Sequence, residues 1–270
     1  AYGGITEHNS SEKIESLLQN GVEFINVSPN VADLPQVNTN QHILVRPNTD
    51  VAFMLGVAYI LEVEELLDRQ FLSTHCKGYE TFARYLLGKD DGIPKSPEWA
   101  SAITDIKAEE IVSLARKMAA KRTFISGAWS LQRAHHGEQP FWMIVVLSSM
   151  LGGIGLKGQG FGFGYGAEGF IGSDYLRFPW ATLPKGRNPE GFAIPVARIA
   201  DMLLNPGDHV EYDGDVIQYP DVRLIYWAGG NPFHHHQDLN RLVSAWRRPD
   251  TVIVNEPWWS PIAKWADIVF

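Results

Sequence analysis

The alternation of apolar and polar positions divides the chain into short β-rich runs and longer helical ones. Val22–Val27 predicts a strand closed by Ser28-Pro29, and His42–Val45 predicts a second extended run stopped by Pro47. A helix is expected from Thr49 or Asp50 to about Leu67. It is apolar on most sides as far as Leu61, which means burial, and it carries Glu62, Glu64 and Glu65 at its end. Lys107–Ala120 has Ile111, Leu114, Ala115 and Met118 at spacings of three and four, the signature of an amphipathic helix. Thr123–Ser126 predicts a strand and then a polar loop, and Pro140–Leu151 a helix with proline in its first turn.

Between Leu151 and Gly172, ten of 22 residues are glycine, so no regular element is expected and the segment reads as an interdomain crossover. Pro179–Gly191 reads as loop, Ile194–Leu204 as helix, and Val210–Tyr219 as a hairpin around Asp213-Gly214. Then come a strand at Arg223–Ala228, a helix with Leu239, Leu242, Val243 and Trp246 on one face, and a strand at Thr251–Val254. Ser260-Pro261 is expected to open a helix as N-cap and first residue, and Ile268–Phe270 to start a further strand. Strand–helix alternation of this kind means an α/β protein with parallel sheets covered on both faces. Ending on a strand that has only begun, the chain is expected to be an internal fragment.

Composition narrows the function. With 23 Lys+Arg against 31 Asp+Glu the formal net charge is −8, which disfavours nucleic acid as a partner. The lone cysteine, Cys76, excludes an internal disulfide and a cysteine-ligated iron–sulfur cluster within this chain. The longest apolar run, Phe141–Leu156, is interrupted by Ser148 and Ser149 and is too short for a membrane span.

Ligands of open parallel sheets bind just past the carboxyl ends of the strands. Those positions hold Ser28-Pro29-Asn30, Arg46-Pro47-Asn48-Thr49-Asp50, Trp129–Pro140, Gly229–Asp238 and Asn255-Glu256. All are polar, and two of these stretches are followed by helices whose N-termini can receive phosphate oxygens. A carboxylate such as Asp50 or Glu256 can accept the N1–H and amino group of a guanine, so a large nucleotide-containing ligand is indicated. Asp50 at a helix start also has an ordinary reading as an N-cap, and both remain open. Gly153–Gly158 spells GxGxxG but follows a helix rather than a strand, which counts against a nicotinamide-dinucleotide fingerprint. The contiguous histidines His135-His136 and His234-His235-His236 lack the spacing that puts imidazoles on one ion.

Three stretches carry a resemblance. Leu131-Gln-Arg-Ala-His-His-Gly-Glu-Gln-Pro140, Tyr226-Trp-Ala-Gly-Gly-Asn-Pro-Phe-His-His-His-Gln-Asp-Leu-Asn-Arg-Leu242 and Arg46-Pro-Asn-Thr-Asp-Val-Ala52 resemble motifs of the dimethyl sulfoxide reductase family of molybdopterin oxidoreductases. Within it, the branch of trimethylamine N-oxide, dimethyl sulfoxide and biotin sulfoxide reductases is the most similar. The resemblance implies two Rossmann-like doubly wound parallel-sheet domains, each incomplete or interrupted here: residues 1–165, and 166–270 as the truncated C-terminal part of the second. Between them the family holds bis-molybdopterin guanine dinucleotide with molybdenum. Carried over by position, Ser28, Pro29, Asn48, Thr49 and Asp50 would serve one guanine. Gln132 would meet the pterin or diphosphate, His136 would also bind the cofactor, and Gly230, Asn231, Asn255 and Glu256 would serve the second nucleotide. Arg133 would stand near the substrate funnel. The family's molybdenum-ligating serine lies upstream of this segment, so no metal ligand is expected in it, and the segment alone should be inactive. Removal of oxygen from a small S- or N-oxide, an electron-donor protein as partner and a periplasmic compartment ahead of a cytoplasmic one, since relatives include both, are the further implications. The alternative is a nucleotide-binding structural domain without redox chemistry.

Overall fold

The computed structural model describes residues 10–31, 41–163, 181, 184, 186–188 and 191–270. The chain divides into two compact units, Ala1–Phe178 and Pro179–Phe270. The boundary expected at residues 165 and 166 lies outside the described residues, as does most of the loop expected at Pro179–Gly191.

The first unit runs α1 (Ser10–Gln19), β1 (Ile25–Val27), β2 (Gln41–Ile43), α2 (Asp50–Val63), α3 (Arg69–His75), α4 (Tyr79–Leu86), α5 (Pro97–Thr104), α6 (Ala108–Ala120), β3 (Phe124–Gly127), α7 (Glu138–Met150) and β4 (Gly160–Phe163). Its centre is α2, where Phe53–Ala58, Ile60 and Leu61 are all buried, as a helix without a polar face requires. Around it pack Ala100 of α5, Ile111, Leu114 and Ala115 of α6, and Met143, Ile144, Leu147 and Met150 of α7. At Gly56 a Cβ would stand 2.7 Å from the Cβ of Ala100, so glycine sets how closely α2 and α5 approach. The helix stops at Val63, four residues short of the expected Leu67, and Glu65 just beyond takes a positive φ of 53°.

Two parallel pairs make up the described strands of this unit, Ile25–Val27 with Gln41–Ile43 and Phe124–Gly127 with Gly160–Phe163. The second pair corrects the expectation that Leu151–Gly172 holds no regular element. In Gly160-Phe-Gly-Phe163 the glycines are buried while Phe161 and Phe163 pack on the core, so strict alternation supplies a strand despite the glycine content. The loop expected after β3 contains a turn of 3₁₀ helix at Trp129–Arg133.

Helices α3, α4 and α5 had not been expected. Two of them are capped by chemistry visible in the sequence. Asp68 accepts the Phe71 N–H at 2.8 Å, and Ser96, ahead of Pro97, accepts the Trp99 N–H at 3.3 Å. In the α4–α5 connection Lys95 is only 2% exposed. Its ammonium donates to Asp91 Oδ2 at 2.6 Å and to the Ile93 carbonyl at 2.5 Å, and lies 4.1 Å from the centre of the Tyr85 ring.

The second unit contains a 3₁₀ turn (Val196–Arg198), α8 (Ile199–Leu204), β5 (His209–Tyr212), β6 (Asp215–Gln218), β7 (Leu224–Ala228), α9 (Pro232–His235), α10 (Leu239–Trp246), β8 (Thr251–Asn255) and β9 (Ile268–Val269). β5 and β6 form the expected hairpin, and Asp213 (φ 54°) and Gly214 (φ 87°) take the left-handed conformations of a type I′ turn. β7, β8 and β9 form a parallel sheet in that order, with Ala228 opposite Asn255 and Val254 opposite Val269. Leu242, Ala245 and Trp246 of α10 pack with Val252 and Val254, and Phe233 meets Trp246 edge-on at 5.5 Å. The helix expected to open at Ser260-Pro261 is corrected to a single 3₁₀ turn, Ala263–Trp265. Ser260 does not cap it, because its hydroxyl is buried without a partner. The chain must re-enter the sheet at once, where Asp267 accepts the Val252 N–H at 2.8 Å.

The described architecture is therefore mixed α/β with small parallel sheets. No helix among the described residues is long and apolar enough to cross a membrane.

Candidate functional site

The N-terminus of α2 follows a tight turn that its sequence dictates. Pro47 fixes φ at the second position, Asn48 takes a positive φ of 65° at the third, and the Thr49 N–H closes on the Arg46 carbonyl at 3.2 Å, as in a type II turn. The Thr49 hydroxyl donates to the same carbonyl at 2.7 Å. Thr49 stands at the N-cap position but makes no side-chain cap bond, and Asp50 is the first helical residue. The N-cap reading of Asp50 is thereby corrected.

Asp50 is half-buried, with no hydrogen bond or ion pair from another side chain among the described residues. Burial pushes its carboxyl above the ordinary value, against an opposing pull from its own backbone N–H. It opens into a cavity of about 410 Å³ lined by Asn48, Asp50 and Val51 from the start of α2 and by Leu131, Ala134, His135, His136, Gly137, Gln139 and Pro140. The structure thus brings together two stretches that are some 80 residues apart in sequence.

The second stretch is held by a close backbone approach. Gly137 donates its N–H to the Ala134 carbonyl at 3.1 Å, and a Cβ on it would meet the Gln132 carbonyl oxygen at 2.4 Å. His136 takes a positive φ of 55°, its ring centre lies 3.9 Å from that of His135, and its Nδ1 is 3.5 Å from Glu138 Oε1. The Glu138 carboxyl is held below its ordinary value, first by its own backbone N–H.

Other candidates lie apart from the cavity. Thr49 serves the turn. Gln132 contributes backbone beneath Gly137 while its side chain is exposed, and Arg133 ends the 3₁₀ turn exposed, without a hydrogen bond or ion pair among the described residues. Neither lines the cavity. Buried Ser28 donates its N–H to the Ile43 carbonyl, and its hydroxyl accepts the Asn30 N–H at 3.0 Å. Pro29, beside it, is exposed, and neither residue lines the cavity. Conversely, Val51, Leu131, Ala134, His135, Gln139 and Pro140 are cavity residues that had not been singled out. The positions of His135 and Gln139, one helical turn apart, were the available signal.

In the second unit the four expected residues cluster at adjacent strand ends. Gly229 (φ 78°) and Gly230 (φ 73°) turn the chain off β7, and Asn231 caps α9 by accepting the Phe233 N–H at 3.2 Å. Asn255, ending β8 in register with Ala228, donates Nδ2–H to the Tyr226 hydroxyl at 2.8 Å. Glu256 follows, its carboxylate accepting the Trp258 N–H at 3.4 Å. Nearby in sequence, His236 has a buried Nε2 without a partner among the described residues, and burial lowers its pKa. Among the described residues no group of three or more His, Cys, Asp or Glu is placed to hold a metal ion.

Comparison with known proteins supplies the context. Residues 8–270 match the molybdopterin oxidoreductase family. A biotin sulfoxide reductase of Cereibacter sphaeroides is 46% identical, covering 99% of this chain and 36% of that protein. A dimethyl sulfoxide/trimethylamine N-oxide reductase of Rhodobacter capsulatus is 43% identical, covering 98% of this chain and 33% of the relative. A trimethylamine-N-oxide reductase of Haemophilus influenzae is likewise 43% identical over 98% of this chain and 33% of its own length. The chain thus spans about a third of these relatives. In fold it is similar to the acetylene hydratase of Pelobacter acetylenicus, with a TM-score of 0.58 at 13% identity over 96% of this chain and 38% of that one. With the family match running almost end to end and relatives above 40% identity, the chain belongs to the molybdopterin oxidoreductase family.

Proposed function

We propose that the chain forms a cofactor-binding part of a molybdenum-dependent S- or N-oxide reductase. Each unit would be part of a Rossmann-like doubly wound domain serving one guanine nucleotide of bis-molybdopterin guanine dinucleotide. One observation supports this above others: a half-buried carboxylate without a cationic partner among the described residues, Asp50, opens into a cavity of ligand size lined by the two motifs. A carboxylate partly removed from water calls for donors, and the paired N–H groups of a guanine edge satisfy both of its oxygens. Asn48 adds an amide beside it, and apolar Val51, Leu131 and Pro140 suit the faces of a flat ring. In the second unit, Gly229-Gly230 and the α9 turn after them, with Asn255 and Glu256 beside them, offer the equivalent groups. The residues present therefore fit the cofactor.

When bound, the cofactor supplies the two-electron chemistry: oxide, two electrons and two protons become sulfide or amine and water. Electrons would come from a donor protein. The chain itself anchors the nucleotides, Asp50 and Glu256 accepting from guanine and the α7 loop shaping the pocket wall. Arg133, exposed and without a partner among the described residues, would hydrogen-bond the substrate oxygen as negative charge develops there. The names of the relatives favour biotin sulfoxide, dimethyl sulfoxide or trimethylamine N-oxide as substrate.

The test uses full-length protein from molybdenum-replete cells. Acid hydrolysis should release about two equivalents of guanine nucleotide per molybdenum, and a reduced dye should drive reduction of at least one of the three oxides. Arg133→Ala should lower kcat/KM by roughly 10²-fold with cofactor content unchanged, and Arg133→Lys should fall between. Protein that releases no guanine nucleotide overturns the cofactor assignment. Loaded protein inert toward all three oxides overturns the substrate assignment.

A further inference from the structure

The turn that aims Asn48 and Asp50 into the cavity is held by α5, through a residue outside the motif. Arg46, the first residue of the turn, donates its backbone N–H to the Thr104 carbonyl at 3.2 Å. Its guanidinium reaches Asp105 Oδ2 twice, at 2.9 Å from Nε and 2.6 Å from the terminal nitrogen. Thr104 and Asp105 are the last residue and the C-cap of α5, and Asp105 takes the left-handed conformation there with φ 64° and ψ 8°. That helix end is itself fixed. Thr104 is fully buried, its hydroxyl donating to the Ala100 carbonyl at 2.8 Å and accepting the Ile106 N–H at 3.2 Å. Ala100 is the residue against which Gly56 packs without room for a Cβ. A closed mechanical path therefore runs from the middle of α2, across Gly56 and Ala100 to the end of α5, and back through Asp105 and Arg46 to the start of α2.

We propose that Asp105 is a positioning residue for the nucleotide site, setting the turn that presents Asn48 and Asp50. This rests on the assignment of the cavity to a guanine nucleotide. Both partners of the ion pair are more than half exposed, so its contribution to folding is small. Its effect belongs instead in the ligand's hydrogen bonds, which weaken with displacements of a few tenths of an ångström and with poor angles.

The experiment measures GDP binding by calorimetry to full-length protein prepared free of cofactor. The variants are Asp105→Asn, Asp50→Asn and the double substitution. Asparagine tolerates the left-handed conformation at 105, so the helix end is kept while the charge is lost. Asp105→Asn is expected to raise the Kd for GDP about 3- to 10-fold with Tm within about 2 °C of wild type. In the Asp50→Asn background it should add less than about twofold, because its effect is transmitted through Asp50. Unchanged affinity in Asp105→Asn overturns the proposal. So do full additivity of the two losses, or a fall in Tm that accompanies the loss of affinity, since both belong to a general structural role. Wild-type protein that takes up no GDP overturns the cavity assignment itself, and this inference with it.

Discussion

Gly137 offers the sharpest perturbation of the cavity, because its constraint is purely steric. Its φ of −62° and ψ of −13° are open to any residue, so alanine brings no backbone strain. The added Cβ would instead stand 2.4, 2.6 and 2.7 Å from the carbonyl oxygen, carbonyl carbon and Cα of Gln132. Relief requires a retreat of roughly 1 Å, since favourable carbon contacts begin near 3.5 Å. The atoms in the way are backbone, so no side-chain rotation can absorb the clash. Overpacking of this kind costs about 1–3 kcal/mol, and a rigid neighbour favours the upper half of that range. Losing glycine at the N-cap position of α7, where alanine ranks well below it, adds a cost of the same sign. The retreat displaces residues of the 131–140 wall that lines the cavity with Asp50, so ligand affinity is expected to change together with stability. Urea denaturation of Gly137→Ala should show a lower midpoint at unchanged slope, and calorimetry with GDP a weaker Kd. As a control, Gly155→Ala meets nothing within 4 Å and is penalised only for its φ of 86°, so it should lose stability and keep its affinity. A Gly137→Ala protein with wild-type midpoint and wild-type affinity would refute the close approach and the placement of this wall.

Three further substitutions test other parts of the structure. Asp50→Asn should weaken GDP binding about 10- to 150-fold, the scale of a lost charge-assisted hydrogen bond of roughly 1.5–3 kcal/mol. Because burial raises the folded-state pKa of Asp50, its ionisation opposes folding, so the same variant should be more stable than wild type at neutral pH and lose that advantage in acid; a destabilised variant would restore the N-cap reading. Lys95→Met should cost about 1–3 kcal/mol in denaturation, since it leaves the Ile93 carbonyl without its donor while Asp91, 38% exposed, can turn to water; an unchanged midpoint would remove the clasp from the account. Glu23 is held at about 2 by hydrogen bonds from Lys117 and Lys121, so its stabilisation is complete above its unfolded value near 4.5 and disappears as pH falls through 2. Solvent screening keeps that contribution to about 0.5–1 kcal/mol, and Glu23→Gln should flatten this part of the acid-stability profile, which a curve parallel to wild type would contradict.

Where burial and period agree, the elements were legible from the sequence. The start of α2, the body of α6, the β5–β6 hairpin and the β7–α10–β8 unit fall within a few residues of their expected places. The misses have separate physical causes. Helix α3 is seven residues long and buries one side chain, so only its Asp68 cap announces it, whereas α4 carries an apolar stripe at Tyr79, Phe82, Ala83 and Leu86 that is only two turns long. In Gly160–Phe163 the composition signals a loop, yet the alternation with phenylalanine satisfies a strand once β3 supplies the ladder. At Ser260-Pro261 the cap chemistry is right for a helix, but the return of the chain to β9 leaves no length for one.

The Arg46–Asp50 motif shows what sequence alone could not divide. Read as a string, its three polar residues after proline are equivalent candidates for touching a nucleotide. In the structure they have different duties. Asn48 is suited to the third position of the turn because asparagine tolerates positive φ, and it also faces the cavity. Thr49 spends its hydroxyl on the Arg46 carbonyl and does not line the cavity. Asp50 is half-buried at the first turn of α2, without a side-chain partner among the described residues, where the helix N-terminus favours its negative charge and burial opposes it. The net result is a carboxylate whose own backbone N–H only partly offsets its burial, with no side-chain donor among the described residues. On the function proposed above, a motif that keeps this cost, with Arg46, Pro47 and Thr49 forming the turn that presents it, would serve a ligand that brings further donors.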